Sequence, residues 1–199
     1  MSNNTTTLDA TFWDTCWKQQ FTHWDLKSVS PPLKTFIDSI ADKTASILIP
    51  GCGNAYEAEY LLANGFKNIT IIDIAPSLVA QLLQKFEKHI GKELTLIAGD
   101  FFGHKGKYDI ILEQTFFCAL DPKLRSQYVA QMHRLLNKNG VLSGLLFNRK
   151  FNGGPPFGGS KEEYLTLFSA HFTIKNMDIC TNSVQPRLGS ELFFEVTPL

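Results

Sequence analysis

Apolar runs alternate with amphipathic stretches through the middle of the chain. The run SILIP, residues 46–50, is of the kind buried on both faces of a parallel sheet. Residues 54–65 follow it with Ala, Tyr and Leu at helical spacing, with Asn54 as a candidate N-cap, and stop at Gly65. This alternation continues to residue 148 and predicts strands joined by right-handed helical crossovers, with helices on both faces of the sheet.

The other predicted elements follow the same reasoning. Two prolines at 31 and 32 mark a turn before a short helix, and the stretch 148–160 is rich in Gly and Pro and predicts a loop. Further strands are predicted at 68–74, 94–102, 108–117 and 141–148, helices at 77–91 with Ser77 as cap, at 124–140 and at 161–172, and a C-terminal antiparallel hairpin at 173–182 and 190–198.

These elements predict an α/β fold built on a doubly wound, mostly parallel seven-stranded sheet of Rossmann-like type, closed by the antiparallel hairpin. A length of 199 residues with 44% hydrophobic residues suits one domain, residues 1–199. Within it, residues 45–199 form the predicted sheet-and-helix core. Residues 1–30 form a separate, predicted helical segment at the N-terminus.

Charge and cysteine usage narrow the function classes. Lys plus Arg number 19 and Asp plus Glu number 19, with no basic stripe, which disfavours a nucleic-acid partner. The N-terminus has no secretory pattern and no apolar run reaches membrane-spanning length, so no membrane association is expected. The four cysteines form no CxxC pair, hence neither a metal site nor a disulfide framework is predicted, and a cytoplasmic location is expected.

Two glycines and an acid mark a candidate ligand site. Gly51 and Gly53 follow the first strand and Asp73 ends the second, at the edge where open parallel sheets bind ligands. Glycine lets backbone N–H groups approach a ligand, and the carboxylate could accept both hydroxyls of a ribose. Tyr56 stands where a dinucleotide fingerprint needs a third glycine, which favours S-adenosylmethionine (SAM) over a nicotinamide dinucleotide. A tight turn with a solvated aspartate is the alternative.

The end of the third strand adds a second pair. Asp100 can take the adenine amino group while Phe101 packs on the base. Acidic or glycine-rich ends on three successive strands make the ligand hypothesis stronger than any one of them alone.

Longer motifs resemble a known family. FWDTCW and THWD near the N-terminus, then PGCG, DFF, QTFFCALDP and GGPPF occur in the order found in class I methyltransferases of the thiopurine methyltransferase-like group, which includes plant halide and thiol methyltransferases. The resemblance is nearly full length, starting at Trp13. The tryptophan spacing and the FFCA and GGPP blocks are far more specific than the glycine pair.

The resemblance implies a cofactor site and an acceptor pocket. Residues 1–30 become a lid that lays indole faces over the cationic sulfonium, an attraction of roughly 0.5–2 kcal/mol. Gln114 stands where the family carries Tyr or Arg, so the acceptor stays open. The implied SAM-binding residues are Trp13, Trp17, Trp24, Gly51, Gly53, Asp73, Asp100, Phe101 and Gln114, and the implied acceptor pocket is Phe116, Phe117 and Phe157. Core packing is the alternative for the tryptophans and the phenylalanines, and Cys118 is interpreted as packing.

The implied activity is methyl transfer from SAM to a small soft nucleophile such as a thiol, bisulfide, a halide or thiocyanate, by in-line displacement. No catalytic residue is assigned, because such acceptors ionise readily or need no deprotonation. His23, beside the tryptophans, is a candidate base. Three alternatives stay open: a methyltransferase of small nitrogen or oxygen acceptors, a non-catalytic SAM-binding module, and a nicotinamide-dependent oxidoreductase, which Tyr56 disfavours. The sequence leaves the oligomeric state open.

Overall fold

The computed structural model describes residues 7–199, so the first six residues of the predicted lid segment lie outside the described part. Within that part, one seven-stranded sheet is flanked by six α-helices. The helices are α1 (Ala10–Lys18), α2 (Pro31–Ser39), α3 (Tyr56–Ala63), α4 (Pro76–Lys85), α5 (Arg125–Leu135) and α6 (Lys161–Ser169). The strands are β1 (Ile47–Pro50), β2 (Ile69–Asp73), β3 (Leu94–Ala98), β4 (Tyr108–Gln114), β5 (Leu136–Phe147), β6 (Phe172–Ile179) and β7 (Glu191–Pro198).

The strand order is β3-β2-β1-β4-β5-β7-β6. Strands β1 to β5 run parallel, and β7 is antiparallel to both β5 and β6. The predicted fold class is therefore confirmed, including the C-terminal hairpin. The order reverses between β1 and β4, and the carboxyl ends of these strands open a crevice there.

Every residue of β1 and β2 is buried, as their apolar sequences predict. Alternate side chains of the sheet point to two separate cores, since Leu48 packs with residues of α5 and α6 while Ile47 and Ile49 pack with residues of α2, α3 and α4. The helices thus cover both faces, and the strand ends are the part of the sheet left for a ligand.

Several predicted element boundaries and caps are wrong. The helix predicted at 124–140 stops at Leu135, and β5 begins at once with Leu136 paired to Tyr108. Gly140 makes this possible, because a Cβ there would lie 3.0 Å from the Tyr108 carbonyl oxygen. The helix predicted at 77–91 ends at Lys85. Helix α4 is capped by Ala75 with Pro76 in its first turn, and not by Ser77.

Candidate active site

A cavity of about 350 Å³ lies at the carboxyl ends of β1, β2 and β4, under the N-terminal segment. Its size is in the usual range for small-molecule sites, roughly 300–1,000 Å³. The sequence-predicted residues on its wall are Trp13, Trp17, Trp24, Gly51, Gly53, Asp73, Asp100, Phe101, Gln114 and Phe116.

The glycine turn is enclosed by two aromatic rings. Gly51 and Gly53 have φ of +57° and +51°, a left-handed conformation that side chains rarely adopt. A Cβ on Gly51 would lie 2.2 Å from Cδ2 of Phe116, and one on Gly53 would lie 3.7 Å from Trp17. Backbone conformation and close packing therefore both require glycine at position 51.

Asp73 ties the ends of β1 and β2 together. Its Oδ2 accepts the Gly53 N–H at 3.2 Å and its Oδ1 accepts the Ala75 N–H at 3.0 Å. Burial raises the pKa of Asp73, and these two N–H groups oppose the shift. The carboxylate is thus held in place beside the turn and on the cavity wall.

Asp100 and Phe101 lie at the rim beyond β3. The exposed Asp100 accepts the Phe102 N–H at 2.9 Å, and Phe101 is only 4% exposed, because its ring packs against Phe116 and Tyr128. Phe102, which the sequence did not single out, also lines the cavity. Phe101 therefore contributes to the core as well as to the wall.

The three tryptophans form one cluster over the cavity. The ring of Trp24 meets those of Trp13 and Trp17 edge to face, with centroids 5.6 and 5.9 Å apart. All three are only partly buried, and α1 has no fully buried residue. Trp13 and Trp17 also pack against the core that contains α2, α3 and α4, so the cluster belongs both to the cavity wall and to the edge of the core.

Polar contacts fasten the N-terminal segment to the core. Asp14 accepts the Ser77 N–H at 2.7 Å, in the first turn of α4. Asp25 accepts the Asn54 side-chain N–H at 2.8 Å, so Asn54 serves this contact while Ala55 caps α3. Arg187 donates to the Trp24 carbonyl oxygen at 2.7 Å.

Gln114 ends β4 on the cavity wall, and both its amide atoms are buried with no hydrogen-bond partner among the described residues. The adjacent Glu113 shapes the turn that follows. Its carboxylate accepts the N–H groups of Phe116 and Phe117 at 2.8 and 2.9 Å and the Tyr128 hydroxyl at 2.6 Å. Burial raises the pKa of Glu113 to about 7 against these three hydrogen bonds.

Two predicted pocket residues are not on the wall. Phe117 is 1% exposed, because it packs in the core against Tyr128 and Tyr164. Phe157 does not line the cavity, and its backbone N–H donates to the Cys118 carbonyl oxygen at 2.7 Å. His23 is exposed and does not line the cavity either.

Other wall residues were missed by the sequence analysis. The GGPP block supplies Pro155 and Pro156, and the FFCALDP block supplies Cys118, Ala119 and Leu120. Both motifs contribute to the family resemblance, but the sequence did not show which residues of each motif face the cavity. Glu57 also lines it from α3, and burial raises its pKa to about 7.

Comparison with known proteins places this chain in a family. The family model described as thiopurine S-methyltransferase matches residues 8–192. The chain belongs to the thiopurine S-methyltransferase family. Like other members of this family it is a SAM-dependent methyltransferase, and its cofactor is SAM.

Individual relatives of the chain are also named as methyltransferases. A probable thiol methyltransferase 2 of Arabidopsis thaliana is 30% identical over 184 residues, which cover 90% of this chain and 81% of the relative. Thiocyanate methyltransferase 1 of Brassica oleracea is 25% identical over 190 residues, 93% and 84% of the two chains.

Solved structures support the fold. Magnesium protoporphyrin IX methyltransferase of Synechocystis PCC 6803 with bound SAM matches with a TM-score of 0.74 at 14% identity, covering 100% of both chains. Burkholderia thailandensis 1,6-didemethyltoxoflavin-N1-methyltransferase with bound S-adenosylhomocysteine matches with a TM-score of 0.75 at 19% identity, covering 95% of this chain and 86% of that one.

Proposed function

We propose that this protein methylates a small soft nucleophile, such as a thiol, bisulfide, thiocyanate or a halide. The observation that carries the proposal is the composition of the wall around Gln114, which is largely apolar: Phe116, Cys118, Ala119, Leu120, Leu124, Pro155 and Pro156. Such a wall excludes water from a polarisable acceptor. The thiol and thiocyanate activities named for the plant relatives support the same acceptor class.

The cofactor would be held by the residues at the strand ends. The glycines of the turn bring its backbone to the cavity wall, Asp73 would accept ribose hydroxyls, and Asp100 would accept a hydrogen bond from the adenine amino group next to Phe101. The orphaned amide of Gln114 would gain partners from cofactor or acceptor, which is the fit expected of a ligand site. The lid of residues 1–30 would then close the site with its three indoles.

When bound, SAM supplies a methyl group made electrophilic by its sulfonium. Transfer would join the acceptor's lone pair to the methyl carbon and release S-adenosylhomocysteine, and a thiol acceptor would lose its proton to solvent. The chain's residues align the partners and exclude water, and alignment can lower a barrier by about 7–11 kcal/mol. Among the described wall residues there is no histidine or lysine to serve as a base.

The cellular setting is also a proposal. All four cysteines are unpaired, and two of them, Cys52 and Cys118, line the cavity. Unpaired cysteines suit a reducing compartment, so we propose the cytoplasm. A small molecule is the proposed partner, and the balanced charge favours no nucleic acid. None of the helices between residues 7 and 199 is long and apolar enough to cross a membrane.

One assay tests the acceptor class. Purified protein with methyl-labelled SAM is offered iodide, bisulfide, thiocyanate and thiophenol, and a matched set of amines and alcohols as controls. Label is expected in the sulfur or halide products, with methyl iodide and methanethiol collected from the headspace. Labelling of only the amines or alcohols would show that the acceptor is a nitrogen or oxygen nucleophile and not a soft one. SAM binding with no turnover on any acceptor would indicate a binding module.

A further inference from the structure

The cavity wall carries charge of one sign. Its described residues include five carboxyl groups, and none of them is a lysine, arginine or histidine. The carboxyl groups belong to Asp9, Asp25, Glu57, Asp73 and Asp100. The wall therefore offers no fixed positive charge to an acceptor.

The cations close to the wall are already engaged. The Lys85 ammonium donates to the Asn54 carbonyl oxygen at 2.9 Å and lies 2.9 Å from the Glu59 carboxylate. The Lys27 ammonium is 3.0 Å from the Asp25 carboxylate and its side chain is 77% exposed to solvent. The Arg187 guanidinium lies 3.3 Å from the Glu191 carboxylate in addition to its contact with the Trp24 carbonyl. Its positive charge acts on the Cys118 thiol by lowering the pKa, but burial dominates and raises that pKa overall.

Gln114 is the free polar group next to the apolar part of the wall. The other amide on the wall, Asn54, already donates to Asp25. A buried amide without partners loses its hydrogen bonds to water, and a ligand that bonds to it restores them. Gln114 is followed directly by Thr115 and Phe116, and all three residues line the cavity.

We propose that the neutral Gln114 binds the attacking atom of the acceptor and that the wall, which has no cation there, selects acceptors whose only negative charge is on the attacking atom. This inference rests on the proposed function. The sulfonium balances the negative charge of the attacking atom, which accepts a hydrogen bond from the Gln114 side-chain N–H. A second negative group, such as a carboxylate, would be buried near carboxylates with no counter-charge. Compact anions and uncharged thiols are accepted, and thiols that carry a fixed carboxylate are rejected.

A matched pair of acceptors tests the proposal in the unaltered protein. Thiophenol and 4-mercaptobenzoate have the same ring and thiol, and differ by one carboxylate. We expect kcat/KM for thiophenol to exceed that for 4-mercaptobenzoate at least tenfold. Equal values would overturn the proposal without any variant. SAM affinity, measured by calorimetry, and thiophenol turnover report separately on the proposed function.

Substitution then tests Gln114 itself. In Gln114→Arg the added cation can pair with the carboxylate, so the ratio of the two kcat/KM values is expected to fall at least tenfold. Gln81→Arg adds the same charge on an exposed position of α4 and is expected to leave the ratio unchanged. Gln114→Leu adds no cation, so discrimination persists while KM for thiocyanate rises several-fold.

The outcomes are distinguishable. An unchanged ratio in a Gln114→Arg protein that still binds SAM and methylates thiophenol overturns the role of Gln114, as does an equal change in Gln81→Arg. If Gln114→Arg does not fold, Gln114→Leu tests the role of Gln114, because an unchanged KM for thiocyanate in that variant would also overturn this role. Loss of SAM binding or of all thiol turnover in the unaltered protein would instead refute the proposed function.

Discussion

Asp73 combines a structural and a binding role in one carboxylate. Two of its lone-pair positions are used by the Gly53 and Ala75 N–H groups, and a carboxylate has about four such positions. The remaining ones can accept ribose hydroxyls. Loss of Asp73 would therefore disturb both the glycine turn and the direct contact with the nucleoside.

Asp73→Ala is expected to weaken SAM affinity at least tenfold, about 1.4 kcal/mol, as measured by calorimetry. Asp109→Ala is the matched control. Asp109 also accepts a backbone N–H and a second hydrogen bond, both from Ser46, but it is not on the cavity wall. An unchanged SAM affinity in Asp73→Ala, or an equal loss in Asp109→Ala, would contradict the assignment.

At the residue scale the sequence was most informative where chemistry and backbone conformation coincide. Gly51, Gly53, Asp73 and Asp100 stand at strand ends, where a parallel sheet fixes their location. Phe117 could not be separated from Phe116 in the same way. Consecutive aromatic residues in an irregular turn face different directions, and the Glu113 hydrogen bonds that set the turn at Thr115, with φ of +58°, leave no signature in the sequence.

At the scale of elements, the N-terminal segment is held by polar contacts and by Trp13 and Trp17, which pack partly buried against the core that contains α2, α3 and α4. Helix α1 has no fully buried residue. Asp14, Asp25 and the Trp24 carbonyl make the polar contacts between the N-terminal segment and the core. The three indoles stay partly exposed on the cavity wall, and we propose that the segment acts as a lid whose indoles face a bound cofactor.

Trp17→Leu tests the lid. Removal of one indole is expected to weaken SAM affinity by about 0.5–2 kcal/mol, roughly 2- to 30-fold, because cation attraction is lost. S-adenosylhomocysteine has a neutral sulfur, so calorimetry should show a smaller loss for it. Phe21→Leu is the control in the same segment, since Phe21 is 59% exposed and off the wall. Equal losses for both ligands would refute the role of the indole face.

Element existence could be predicted, whereas some boundaries could not. All seven strands were expected from apolar runs and turn residues. The end of α5 was missed because the helical pattern continues to Gly140, and only the pairing of Leu136 with Tyr108 draws that stretch into β5. Long-range pairing of this kind overrides local propensity.

At the scale of the whole molecule, buried carboxyl groups couple stability to pH. Glu57 has a pKa of about 7, raised by burial from an ordinary value of 4.5. The folded state therefore binds more protons than the unfolded state between these values. Its contribution is fully present below pH 4.5 and is lost as pH rises through 7.

Glu57→Gln should flatten this dependence. Between pH 4.5 and 7 the unfolding free energy of the unaltered protein is expected to fall by about 1–3 kcal/mol because of Glu57. This part of the decrease should be absent in the variant. Urea denaturation at both pH values measures the difference. Glu59→Gln, at an exposed position of the same helix, should leave the slope as it is. Parallel slopes for Glu57→Gln and the unaltered protein would contradict the prediction.

The position of β7 has a consequence for synthesis on the ribosome. Strand β6 is made before β7 but reaches the sheet only through it, because β7 pairs with both β5 and β6. Until the later strand emerges from the exit tunnel, the edge of β5 is open and β6 has no partner among the strands. A nascent chain of this protein thus exposes an unpaired β edge from the completion of β5 at Phe147 until β7 emerges, a state in which chaperone protection against aggregation is most useful.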